Sequence, residues 1–232
     1  MSAPTDEDLA RVARRALDEV QPGMRLGLGT GRAAEAFIRL LGERVRGGLA
    51  VVGVATSRRS EALAAEVGVP TTTLAEVDAL DVAFDGADEV APDLSLLKGL
   101  GGAHLRERVV AGEASRFVVL VTPEKLVGRL GERAPVPVEV VDFALPTAQR
   151  RLLAIPGALS IARRLVRGST EPFVTDNGNA ILDLTIVPTD APAAVDAAIR
   201  RIPGVVDDGF FLGVAHLVLV GEPGAVRALR RP

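Results

Sequence analysis

Apolar positions along the chain follow two rhythms, one of helical spacing and one of short unbroken runs. Leu9, Val12, Ala13, Ala16, Leu17 and Val20 recur at helical spacing and predict a first helix. Thr5 reads as its N-cap, and Asp6, Glu7 and Asp8 suit the dipole of its first turn. Pro22-Gly23 ends it. Arg25 to Leu28 is a short strand, followed by a glycine-rich turn (Gly27, Gly29, Gly31) and a helix presenting Ala34, Phe37, Ile38 and Leu41. Leu49 to Val54 predicts the next strand and Ser60 to Val67 a helix. Val69 to Thr72 predicts another strand, Leu74 to Val77 a turn of helix, and Val82 to Phe84 a further short apolar run. A helix begins near Glu107, and Phe117 to Val121 reads as a buried strand.

Short β runs alternating with helices predict an α/β chain with a parallel sheet. In such sheets ligands sit beyond the carboxyl ends of the strands. Those ends are Gly29–Arg32, Thr56-Ser57, Asp85–Asp88 and Thr122–Lys125. The loop Gly27–Gly31 leads into a helix N-terminus and is suited to an anion. It is not a full dinucleotide fingerprint, since Ala34 stands where the third glycine would be. A tight turn that packs a helix on a sheet explains the loop equally well.

The pattern changes after a proline- and charge-rich crossing at 131–137. A strand (Val138 to Val141) is followed by a helix with Ala148, Leu152 and Leu153, and by a strand around Ala162 to Val166. A hairpin turn at Asp176–Asn179 then separates Phe173–Thr175 from Ala180–Leu184. A helix from Ala191 to Arg201 completes a small α+β unit, and Leu217 to Val220 forms a last strand returning to the first sheet. The domains expected are 1–130 with 206–232, and an inserted 131–205.

Composition narrows the chemistry. The 232 residues carry a net charge of -3, which gives no general field for nucleic acid. There is no cysteine, and His104 and His216 are the only histidines, so thiolate and histidine-rich metal sites are excluded. The acidic N-terminus is not a secretory signal, and no apolar run is long enough to span a membrane. The expectation is a cytoplasmic protein with no membrane or nucleic-acid partner. Lys98 and Lys125 are the only lysines among 27 basic residues, which hints at sites wanting a compact ammonium.

Much of the chemistry lies between Asp81 and Arg108. Asp85 and Asp88 flank a Gly86-Ala87 step, Lys98 opens a loop with Gly99, Gly101 and Gly102, and Glu107 follows. Two acids, an amine, free backbone amides and a further acid can serve proton transfer on a small anionic substrate. Each also has a plainer reading. Asp-Gly favours turns, and Glu107 suits a helix first turn beside Arg106 or Arg108. His104 reads as a loop residue and His216 as structural.

The strings GLGTG (27–31), TS (56–57), DGADE (85–89), KGLGGA (98–103), RER (106–108), PVPVEV (135–140), VTDNGNAILD (174–183) and IPGVVDDGFF (202–211) occur in this order. Together they resemble the ribose-5-phosphate isomerase type A family over nearly the whole chain. The resemblance implies a Rossmann-like sheet flanked by helices, with a smaller inserted ferredoxin-like α+β domain. It implies interconversion of ribose 5-phosphate and ribulose 5-phosphate in the pentose phosphate pathway, without metal or nucleotide cofactor. It also implies a homodimer or homotetramer, formed through the small domain. By the same resemblance Glu107 is the general base and Lys98 supports the oxyanion. Asp85 and Asp88 hold hydroxyls and assist ring opening. Thr30, Gly31, Arg32, Ala33, Thr56, Ser57, Gly86, Ala87, Gly99, Leu100, Gly101 and Lys125 complete the substrate contacts.

Two positions depart from the family pattern. Arg32-Ala33 replaces the usual Ser-Thr, so two hydroxyls give way to one guanidinium, which suits phosphate. Leu100 replaces a loop glycine. The rival readings are a non-catalytic sugar-phosphate sensor and a different sugar-phosphate enzyme on the same scaffold.

Overall fold

The structure, a computed structural model, describes residues 6–231, so the cap proposed at Thr5 lies outside the described residues. In chain order the elements are α1 (Asp6–Ala16), β1 (Arg25–Leu28), α2 (Arg32–Arg46), β2 (Val52–Ala55), α3 (Arg58–Val67), β3 (Leu80–Gly86), β4 (Glu89–Val90), β5 (Leu96–Leu97), α4 (His104–Gly112) and β6 (Ala114–Val121). They continue with β7 (Val136–Val140), α5 (Leu145–Leu153), β8 (Ala158–Arg163), β9 (Ala180–Ile186), α6 (Pro192–Arg200), β10 (Val205–Asp208), β11 (Phe210–Phe211), β12 (Leu217–Glu222) and β13 (Ala225–Arg230). Two compact units emerge. Among the described residues the first holds 6–87, 106–126 and 213–231, the second 88–105 and 127–212. Residues 88–105 thus group with the second unit, although the pattern along the chain had placed them in the first.

The first unit is built on a six-stranded sheet in the order β13-β12-β6-β3-β1-β2. β2, β1, β3, β6 and β12 run parallel, and β13 folds back antiparallel on β12. The strands are buried apolar runs because helices cover the sheet. Val12, Ala13 and Ala16 of α1 and Phe37, Ile38 and Leu41 of α2 enter one core with Leu26, Leu28 and Phe84. Phe37 stacks on Phe84 with ring centroids 4.1 Å apart. A Cβ at Gly27 would lie 2.6 Å from both Ala83 Cβ and Val110 Cγ1, so only glycine lets β1 pack this closely.

Two expected elements shrink. Val69–Thr72 contributes only a bridge between Gly53 and Thr71, and Leu74–Val77 is a turn without helix. β13 was not anticipated, because at its exposed edge position the sequence AVRALR repeats every third residue instead of alternating apolar with polar.

The second unit contains an antiparallel sheet in the order β10-β7-β9-β8. Read along the chain, its elements are β7, α5, β8, β9, α6 and β10, the βαββαβ arrangement of ferredoxin-like folds. Val136, Val138 and Val140 of β7 share a core with Ala148 and Leu152 of α5 and Ile199 of α6. The turn at Asn177-Gly178 forms, with Gly178 at φ 85°, but Phe173–Thr175 contribute only a bridge from Val174 to Ala180. On that side β9 pairs instead with β8, which ends at Arg163, and on its other side with β7. A separate three-stranded sheet joins β4, β5 and β11. Its two-residue strands are too short to leave a readable period. Among the described residues no helix is long and apolar enough to cross a membrane.

Candidate active site

In the first unit the strand order reverses between β1 and β3, the kind of switch point where α/β sheets bind ligands. Gly29 N donates to Phe84 O at 2.9 Å, which draws the β1 loop onto the end of β3. Thr30 N then donates to Asp85 Oδ1 at 3.0 Å, and Gly86 N donates to the same oxygen at 2.7 Å. Asp85 is only 2% exposed, so its charge is held by backbone amides rather than by bulk water. A Cβ at Gly29 would lie 2.3 Å from Asp85 Oδ1, so glycine is required for the loop to reach this carboxylate.

A cluster of hydroxyls sits beside it. Thr30 Oγ1 lies 2.8 Å from Thr56 Oγ1, 2.8 Å from Ser57 Oγ and 3.1 Å from Ser60 Oγ. Ser60 donates its hydroxyl to Gly29 O at 2.6 Å and ties α3 to the glycine turn. Ser57 caps α3 by accepting from Ser60 N at 3.1 Å. No side chain caps α2. Gly31 occupies that position at φ 103°, a region glycine alone enters freely, and the first amides of the helix are left for an anion. Arg32 follows at the helix start, its side chain 63% exposed and 3.1 Å from an almost fully exposed Asp6. Lys125 ends a 3₁₀ turn, Pro123–Lys125, after β6. Glu107 lies in the first turn of α4 and is 4% exposed.

The second unit holds the other half of the expected set. Asp88 N donates to Leu97 O at 2.8 Å, and Asp88 Oδ2 accepts from Leu100 N at 2.9 Å. Lys98 is 2% exposed, its Nζ 5.5 Å from the centre of the Phe211 ring. Its own amide donates to Gly209 O at 2.9 Å. Gly99 and Gly102 take φ of 99° and 84° and close a turn through Gly102 N to Gly99 O at 3.0 Å. A Cβ on Gly99 would strike His104 Cβ at 2.6 Å, and one on Gly102 would strike the Phe173 ring at 2.4 Å. Leu100 is tolerated because it points outward, 42% exposed.

These are parts for holding hydroxyls, an anion and a developing negative charge. The model of the family described as ribose 5-phosphate isomerase A (phosphoriboisomerase A) matches residues 52–225. The chain belongs to that family. Ribose-5-phosphate isomerase A of Roseiflexus castenholzii is 49% identical over 224 residues, covering 96% of this chain and 94% of the relative. The ribose 5-phosphate isomerase A structure from Methanocaldococcus jannaschii superposes with a TM-score of 0.91 at 42% identity, covering 97% of this chain and 100% of that one. A D-ribose-5-phosphate isomerase solved in complex with phospho-erythronic acid superposes with a TM-score of 0.94 at 38% identity, covering 99% and 100%.

Against the ribose-5-phosphate isomerase A motifs, the structure brings Thr30, Thr56, Ser57 and Asp85 together in the first unit. In the second it brings Asp88 to the Gly99–Gly102 loop. Several supports were not picked out from the motifs. Ser60 was read only as a helix start. Arg164 donates to Gly99 O and Leu100 O. Glu139 is fully buried and accepts from Thr175, Asn177 and Asn179. The signal for Glu139 was present, since a lone acid in the apolar run of β7 needs buried partners.

Proposed function

We infer that this chain interconverts D-ribose 5-phosphate and D-ribulose 5-phosphate through an enediolate. The observation that carries this is near-full-length membership of the ribose-5-phosphate isomerase A family. The sugar-phosphate sensor reading is not favoured, because the relatives that match along the whole chain are named isomerases.

In the open-chain aldose a base takes the C2 proton, and the C–H electron pair forms the C1=C2 double bond. The carbonyl oxygen gains negative charge. A proton then passes between the two oxygens, and returning the carbon-bound proton to C1 gives the ketose. We assign the base to Glu107, whose burial removes it from competing water. Lys98 and the loop Gly99-Leu100-Gly101 serve the developing oxyanion. Asp85 and Asp88, with the Gly86-Ala87 step between them, hold sugar hydroxyls and assist ring opening. The phosphate falls to the amides at Gly31–Ala33, with Arg32 and Lys125 adding charge. Thr30, Thr56 and Ser57 supply hydroxyls beside them. The solved relative's phospho-erythronic acid suits such a site, because a carboxylate next to a carbon chain presents two coplanar oxygens as an enediolate does.

The pathway position that goes with this reaction is the pentose phosphate pathway, and the setting we assign is the cytoplasm. The assembly we assign is a homodimer or homotetramer through the small unit, supported by Phe143, 96% exposed, and Leu159, 61% exposed. The test is direct conversion of ribose 5-phosphate to ribulose 5-phosphate by the purified chain, with and without chelator. Turnover is expected in both conditions, and a chain that turns over neither pentose phosphate would overturn the reading.

A further inference from the structure

The glycine loop is held by a residue far along the chain. Arg164 directly follows β8, and its backbone is fixed on both sides, its N donating to Ile181 O at 2.8 Å and its O accepting from Phe173 N at 2.9 Å. Its guanidinium donates through Nη1 to Gly99 O at 2.8 Å and to Leu100 O at 3.0 Å. The same fork is paired with Asp183 of β9, Nε lying 3.0 Å from Oδ2 and Nη2 bonding Oδ1. The Arg164 side chain is 10% exposed, so this is not a loose surface pair.

Two successive carbonyls on one guanidinium dictate where the amides point. No peptide here is cis, and in a trans peptide N–H and C=O face opposite ways. The Leu100 amide accordingly points away from Arg164 and reaches Asp88 Oδ2 at 2.9 Å. The Gly101 amide belongs to the next peptide, whose carbonyl is also on Arg164, and it is turned the same way. Successive amides facing one side form an anion-binding nest.

We propose that Arg164 is a positioning residue for the isomerisation, clamping the Gly99 and Leu100 carbonyls so that the Leu100 amide holds Asp88 and the Gly101 amide is turned toward the oxyanion. This rests on the reading of Lys98–Gly101 as the sugar-binding loop. It places a determinant of transition-state stabilisation in the ferredoxin-like part of the chain. Lysine is not equivalent at this position, because a single ammonium lacks the planar fork that spans two carbonyls and a carboxylate.

The test compares wild type, Arg164→Ala, Arg164→Lys and Arg164→Gln by steady-state kinetics and by inhibition with phospho-erythronic acid. Arg164→Ala is expected to lower kcat about 100-fold, the scale of losing an oxyanion donor. KM for ribose 5-phosphate is expected to change less than about threefold. The inhibition constant for phospho-erythronic acid is expected to rise in step with the loss in kcat. Millimolar guanidinium should restore part of the Arg164→Ala activity, and Arg164→Lys should fall between. If Arg164→Ala does not fold, Arg164→Gln is read in the same way. A folded variant with unchanged kcat, or one whose kcat falls while analogue affinity stays at the wild-type value, overturns the proposal. Glu107→Gln run alongside separates the two ideas. Retained activity there removes the base assignment, while the analogue affinities still decide the role of Arg164.

Discussion

His104 Nε2 stands 3.9 Å from Glu139 Oε2, and both side chains are fully buried. The other oxygen, Oε1, accepts from Thr175 Oγ1 at 2.8 Å, Asn177 Nδ2 at 3.1 Å and Asn179 Nδ2 at 2.9 Å. One carboxylate therefore organises the turn before β9 and faces the histidine that packs under Gly99. Glu139→Ala strands the buried Thr175 hydroxyl and takes the acceptor from the less buried Asn177 and Asn179 amides, and is expected to cost about 1–3 kcal/mol, against a smaller loss for Glu139→Gln, which keeps one acceptor in place. Urea unfolding of the variants checks this. Equal stability of Glu139→Ala and wild type would contradict it.

Gly29 is set by steric fit rather than by backbone angle. A methyl group there meets the Asp85 carboxyl at 2.3 Å, so Gly29→Ala must push Asp85 away from the Thr30 and Gly86 amides. Stability is expected to fall by about 1–3 kcal/mol, the usual range for overpacking. Turnover is expected to fall about 100-fold through displacement of Asp85, the carboxylate proposed to hold sugar hydroxyls. Kinetics together with thermal melting separate the two effects.

How much of this was legible depended on the kind of signal. The parallel sheet followed from apolar runs alternating with helices, and the strand-end clusters at Thr30, Thr56-Ser57 and Asp85 met as strand order requires. Short-range motifs also singled out Lys98 and Glu107, and the structure buries both side chains. Arg164 could not be found in this way. It stands 65 residues from Gly99, and its role arises only once β8 and β9 pair. In a chain where nearly every basic residue is arginine, composition gave no reason to single it out. The unit boundary was missed for a related reason: β5 pairs with β11, and that long-range pairing leaves no local mark.

Arg32 opens α2 beside the Gly31 turn, and its described ion pair is with exposed Asp6, which contributes little. Arg32→Ala is expected to raise KM for ribose 5-phosphate about tenfold with kcat nearly unchanged, since a phosphate contact binds substrate and transition state alike. The effect should shrink at high salt. An unchanged KM at low salt would contradict the role.

Glu19 accepts from Arg116 at 2.8 Å and from Arg15 at 2.9 Å. Burial alone would raise its pKa, and it is the largest single influence, but the Arg116 and Arg15 hydrogen bonds and charges together bring it below the ordinary 4.5. A carboxylate lowered on folding adds stability that is complete above its unfolded pKa and is lost as pH falls through the folded one. Glu19→Gln should therefore lower Tm at pH 7, and the gap from wild type should close as the medium is acidified. The pairs are partly exposed, so the contribution is at most about 1 kcal/mol. A gap that persists undiminished at the acid end would contradict the sign.

The central claim is that Glu107 moves the proton between C1 and C2. It is tested most directly by incubating ribose 5-phosphate with enzyme in deuterium oxide and following exchange at the carbon-bound positions by NMR. Wild type should exchange the C2 hydrogen of the aldose and a C1 hydrogen of the ketose. Glu107→Gln, folded and still able to bind phospho-erythronic acid, should exchange about 10³-fold more slowly, the scale of losing a general base. Exchange at the wild-type rate in that variant would contradict the account.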